Sequence, residues 1–105
     1  VKRGEVWDVD FPGVGRHPGV ILTNDVLLSG LGSITVALVT HTEGPTSTHI
    51  GVGEAEGCDE SFINITDLHT VKAERFHRRR GEVTWPKTIE LNRAATRALD
   101  RDQPI

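Results

Sequence analysis

One cysteine, no methionine and no long apolar run are what this sequence of 105 residues conspicuously lacks or nearly lacks. Cys58 has no second cysteine to pair with, which excludes an internal disulfide and predicts a reducing, cytoplasmic setting. No stretch approaches the roughly 18 apolar residues needed to span a bilayer, so no membrane association is predicted. Residues 1–4, Val-Lys-Arg-Gly, hold no apolar segment, and no signal peptide is expected in the chain as it stands. Val1 stands either at a non-methionine start or behind a trimmed end. The net charge of -3 withholds the bulk positive field of many nucleic-acid binders. Zinc-type spacing is missing too: His17, His41, His49, His69 and His77 are scattered, so neither a metal nor another cofactor is predicted. The glycine-rich residues 29–33 lack the lysine and helix of a phosphate-cradling loop.

What is present is a chain long enough for one modest core, a single domain over residues 1–105. Its charge is polarised: residues 54–60 are acidic, whereas Lys72, Arg75, Arg78, Arg79, Arg80, Lys87, Arg93, Arg97 and Arg101 crowd the last third. Short β-branched and aliphatic runs at residues 5–10, 20–23, 34–40, 49–52 and 61–65 read as strands, separated by turn-forming glycine, proline and serine. Alternation in the first run puts Trp7 and Val9 on the core face and Val6 with Asp8 and Asp10 on the other. Residues 72–76 suit one helical turn, 80–83 a last short strand, and Thr84-Trp85-Pro86 a helix start. From there Leu91, Ala94, Ala95, Ala98 and Leu99 recur at helical spacing opposite Lys87, Glu90, Arg93, Arg97 and Arg101. The fold class is mainly β with α: a small barrel or strongly bent sheet carrying a C-terminal amphipathic helix.

Polar side chains cluster at strand ends. Arg16 and His17 precede the second run, Asn24 and Asp25 close it, Thr40-His41-Thr42 closes the third, and Thr66-Asp67-Leu68-His69 follows the fifth. If neighbouring ends converge on one rim, they offer the guanidinium, imidazole and hydroxyl groups that hold a phosphodiester and stabilise charge on it. The alternative is that the threonines are ordinary strand residues and His69 a half-buried edge residue.

In their order, these segments resemble the MazF/PemK-like toxins of bacterial toxin-antitoxin systems. "RGEVWDVDFPG" is similar to that family's opening strand and the start of its loop, "RHPGVILTND" to its Arg-Pro and aliphatic strand, "VALVTHT" to its third strand, "ESFINITDLHTV" to its fifth and "ERFHRRRGEVT" to its penultimate segment. The resemblance implies an SH3-like barrel that works as a homodimer. It implies metal-independent, sequence-specific cleavage of single-stranded RNA through attack of the ribose 2′-hydroxyl. It also implies a cognate acidic antitoxin whose disordered tail occupies the RNA groove.

Carried over by position, Thr40 matches the family threonine that contacts the scissile phosphate. The family arginine directly precedes its proline; here His17 does, with Arg16 one step earlier. Either His17 has taken the position or Arg16 swings into it, and a histidine can transfer a proton that an arginine cannot. Asp67 falls where the family often has a Gln or Asn that reads a base edge. Asn24, Thr42 and His69 are expected to help hold the flanking bases, and Arg78 to track the RNA backbone. The loop between Phe11 and Pro18 lacks the glutamate of many relatives, so either another residue such as His17 or Asp67 supplies the general base, or the enzyme is slow or inactive. Trp85 is expected to pack at the helix start. The rival readings are a non-catalytic inhibitory binder of the same fold, of the gyrase-poisoning kind, and a catalytically weakened member.

Overall fold

The computed structural model describes residues 1–28, 30 and 32–98. Among them six strands form one antiparallel sheet: β1 (Glu5–Phe11), β2 (Gly15–Ile21), β3 (Ser33–Thr40), β4 (His49–Val52), β5 (Ser61–Lys72) and β6 (Phe76–Glu82). Their spatial order is β4-β5-β3-β2-β1-β6. A single helical turn, α1 (Asp25–Leu28), follows β2, and α2 (Trp85–Ala98) comes after β6. The sheet curls into a half-barrel with α2 laid against β4 and β5, the small β-barrel with a C-terminal helix anticipated above. No helix among the described residues is long and apolar enough to cross a membrane. Leu99 and Arg101 of the anticipated helix pattern, and Ser29 and Leu31 of the anticipated turn, lie outside the described residues.

The sheet buries apolar side chains on both faces. Val6, Val20, Ala37, Val39, Ile63 and Ile65 join Leu91 and Ala94 of α2 in one cluster. Val9, Phe11, Ile21, Ile34, Val36 and Val71 form a second, against which Trp7, Leu38 and Phe76 pack. Each fully buried aliphatic or phenyl group here contributes about 1.5–3 kcal/mol relative to exposure. Val6, expected opposite the core, is fully buried like Val9, because β1 feeds both clusters. On α2, Leu91 and Ala94 are buried and Ala95 partly so, but Ala98 is exposed. Trp85 also departs from expectation: it is 74% exposed. Nine residues at about 100° each set it half a turn away from Ala94, so it faces outward.

Three strands are longer than their apolar runs. β2 begins at Gly15, so Arg16, His17 and Pro18 lie within it, paired with Asp10, Val9 and Asp8. Pro18 is tolerated because β3 pairs with β2 only at Gly19, Val20 and Ile21, which leaves the earlier part of β2 with one neighbour. β5 runs on to Lys72 through an irregularity: Ala37 pairs with Leu68 but Leu38 with Asn64, so residues 65–67 are extra on β5. Asn64 Oδ1 accepts hydrogen bonds from the Thr66 N–H (3.0 Å) and hydroxyl (2.6 Å) across this bulge. β6 starts at Phe76 after a 3₁₀ turn at Ala73–Arg75, which places Arg78, Arg79 and Arg80 inside the strand.

The segment before β5 is fixed by close backbone approach. Gly57 has φ of +82°, and a Cβ there would fall onto the carbonyl oxygen of Arg80. Gly81 meets the Glu56 carbonyl in the same way. Arg80 strengthens the contact, donating from Nε to the Gly57 carbonyl (3.0 Å) and from a terminal nitrogen to Asp8 Oδ1 (3.0 Å). Cys58 is buried beside this contact, and burial pushes its thiol up, away from the reactive thiolate. Gly57→Ala combines a left-handed backbone with a backbone clash and is expected to cost about 2–4 kcal/mol, read from urea unfolding midpoints at an unchanged slope.

Candidate functional site

The polar strand ends meet where β2 and β3 part. β3 leaves β2 beyond the Gly19–Leu38 pair and continues beside β5, from Leu38–Asn64 to Thr40–Phe62. The gap is a cleft of about 270 Å³. His17 and Pro18 line it from β2, Leu38, Val39 and Thr40 from β3, and His41 and Thr42 from the turn after β3. Asp59 and Ser61 complete it. Thr40 is half-buried, and its Oγ1 accepts the Thr42 N–H at 3.1 Å, which fixes the hydroxyl at the cleft. His41 Nε2 lies 3.0 Å from Asp59 Oδ2. The His41 hydrogen bond is the main reason that the Asp59 carboxyl is held below its ordinary range. Among the described residues lining the cleft, only His17 and His41 can carry positive charge.

Of the residues singled out in the sequence, the cleft therefore gathers His17, Thr40 and Thr42. Arg16 is elsewhere, since successive side chains of a strand point to opposite faces. Its Nε donates to Asp10 Oδ1 (3.2 Å), and a terminal nitrogen lies 3.1 Å from His77 Nε2. His77 Nε2 in turn lies 2.7 Å from Asp10 Oδ2. Asp67 and His69 form a second pair, 2.8 Å apart on β5, with the His69 ring edge-on to Phe11 at 4.9 Å. Asn24 is exposed immediately before α1. Arg78 is exposed on β6, its Nε 3.5 Å from Asp8 Oδ2. None of these last residues lines the cleft.

His41 and Asp59 are the cleft residues that strand-by-strand reading did not select. His41 was visible only as part of a polar strand end, and Asp59 as part of an acidic stretch. Eighteen residues separate them, and no local pattern signals their pairing. A larger hollow of about 440 Å³ lies between β4 and α2, lined by Glu43, His49, Phe62, Glu90, Arg93 and Arg97 among others, and holds none of the selected residues. No group of three or more His, Cys, Asp or Glu among the described residues is arranged to hold a metal ion.

Comparison with known proteins gives a consistent relationship. A sequence model of the family described as "PemK-like, MazF-like toxin of type II toxin-antitoxin system" matches residues 2–99. A Mycobacterium tuberculosis protein named "Probable endoribonuclease MazF2" is 27% identical over 81 residues, covering 75% of this chain and 78% of its own. A solved mycobacterial endoribonuclease in complex with its cognate antitoxin has the same fold, with a TM-score of 0.87, 23% identity and 99% of each chain covered. The Mycobacterium tuberculosis toxin MazF-mt6 superposes with a TM-score of 0.84 at 23% identity, over 94% of this chain and 99% of its own.

The Asp10 cluster gives a directional pH test. The His77 hydrogen bond, followed by that of Arg16, holds the Asp10 carboxyl below its ordinary value of 3.8. A depressed folded value means that the stability contributed by the Asp10 carboxylate is present above its unfolded value of about 3.8 and is lost as pH falls through the lowered value. A carboxyl-carbon NMR titration is expected to place Asp10 below 3.8 in the wild type and closer to it in His77→Ala.

Proposed function

The chain belongs to the PemK-like, MazF-like toxins of type II toxin-antitoxin systems, and on that premise we propose that it is an endoribonuclease that cuts single-stranded RNA at short sequences without a metal. The ribose 2′-hydroxyl attacks the adjacent phosphorus, leaving a 2′,3′-cyclic phosphate and a free 5′-hydroxyl. Cleavage of mRNA, rRNA or tRNA then arrests translation and growth.

The observation that carries this reading is that His17 and Thr40 line one cleft of about 270 Å³. His17 stabilises the reacting phosphate and protonates the departing 5′-oxygen, and Thr40 orients the phosphate. Arg16 is held by Asp10 and His77 away from the cleft, so the reading gives it a flanking phosphate and gives the scissile one to His17. Thr42 holds the nucleotide next to the cut. Asn24, Asp67 and His69 contact flanking bases, Asp67 accepting a hydrogen bond from a cytosine or guanine amino group. Arg78 follows the RNA backbone. A homodimer supplies the complete groove, and a cognate acidic antitoxin blocks it.

Purified protein incubated with a long single-stranded RNA in EDTA is expected to generate 2′,3′-cyclic phosphate and 5′-hydroxyl ends. His17→Ala is expected to lower the rate about 10²–10⁴-fold, the usual worth of a positioned proton donor, and Arg16→Ala by less than about tenfold. Absence of cutting, or equal cutting by the double variant, refutes the mechanism; inhibition of gyrase supercoiling without cutting points to the binding-only alternative. Sizing chromatography is expected to return a dimer, and a monomer removes the two-copy groove.

A further inference from the structure

A 2′-hydroxyl attack needs a base as well as an acid, and the β1–β2 loop offers no glutamate for the task. Asp10 is engaged by His77 and Arg16, and Asp67 by His69 outside the cleft. Inside it, the Thr40, Thr42 and Ser61 hydroxyls are too weakly basic, and the Asp59 carboxylate is occupied by His41 and held less basic than usual. That leaves His41, the second imidazole that lines the cleft with His17.

We propose that His41, oriented by Asp59, is the general base of this cleft and His17 its general acid. The proposal rests on the ribonuclease reading above and extends it. A carboxylate has no proton to give, so the His41 Nε2 carries the hydrogen that Asp59 accepts, and Nδ1 presents its lone pair. In the cleavage step the 2′-O–H bond breaks and its proton passes to His41 Nδ1. The O2′–P bond forms, the P–O5′ bond breaks, and the His17 imidazolium gives its proton to O5′. His41 ends protonated and His17 neutral, and exchange with water restores both. Asp59 is a positioning residue that acts through His41. Charged groups near the pair are Arg80 of β6, whose charge favours the ionised Asp59, and Glu54 and Glu60, which line one hollow with Asp59 and Arg80; Arg80 is in turn held by Asp8 of β1 at 3.0 Å.

The His41 and Asp59 side chains are 73% and 71% exposed, so their replacement leaves the core intact. Single-turnover cleavage of single-stranded RNA in EDTA is expected to show a bell-shaped pH profile. His41→Ala is expected to cut about 10²–10⁴-fold more slowly and to lose the acid limb, whereas His17→Ala loses the alkaline limb. A substrate with sulfur in place of the scissile 5′-oxygen leaves without protonation, so it restores His17→Ala and does nothing for His41→Ala. Asp59→Asn is expected to move the acid limb to lower pH by removing the charge that favours imidazolium, and Asp59→Glu to move it back. If the wild type cuts RNA but His41→Ala stays within about threefold of it with the bell intact, His41 is not the base and the ribonuclease reading stands. If the wild type cuts no RNA, both fall.

Discussion

Burial of apolar side chains on both faces of one sheet is the constraint from which the remaining architecture follows. One face has α2 to cover it through Leu91 and Ala94. The other has no long helix among the described residues, only Leu28 of α1 at its margin, so Val9, Phe11, Ile21 and Val36 must be buried by the sheet's own curvature. Curvature demands slack in the ladders. It appears as register shifts between β1 and β6 at Val6/Trp7 and Asp8/Val9, and as the extra residues of β5 opposite Ala37 and Leu38. It appears again where β2 and β3 separate beyond Gly19. The cleft is thus a geometric consequence of how the core closes, and its walls are strand ends held by that core.

The charge distribution has a less direct relation to the cleft than the sequence suggests. The arginines of β6 are matched to carboxylates of β1: Arg79 to Glu5 at 2.6 Å, Arg80 to Asp8 at 3.0 Å and Arg78 to Asp8 at 3.5 Å. Glu5 feels burial pushing its carboxyl up, but hydrogen bonds from Arg79, the Lys2 N–H and Trp7 more than offset this and leave it lowered. These three arginines are therefore tied into the sheet. Positive charge inside the cleft depends on two imidazoles and not on a permanent cationic wall.

Much of the fold was legible in the residues. The apolar runs of β1, β3 and β4 have the lengths that the structure gives them, within a residue or two, because strong β-branched patterning and clear turns bound them. Pro18 hid the start of β2, since proline argues against pairing unless one side of the strand is free. The bulge at residues 65–67 breaks the alternation on which strand reading depends, and so hid the second half of β5. An edge strand of arginines has no apolar period at all, which hid the start of β6. The Thr40 and His17 positions were legible as polar strand ends, and resemblance to a family supplied their expected roles. Their place in one cleft, the withdrawal of Arg16 to the Asp10 side and the approach of Asp59 to His41 are matters of register between segments, which no local pattern records.

β6 ends the sheet, and over its seven residues no strand among the described residues lies beyond it, although the Glu56–Gly57 segment packs against it at Arg80 and Gly81. An edge of that length can recruit a strand from another chain and seed aggregation. The same three arginines that obscured the strand answer this hazard, since a second copy adding along that margin would bring Arg78, Arg79 and Arg80 against a like-charged row. The run therefore disfavours that mode of addition, apart from anything its residues do for a ligand.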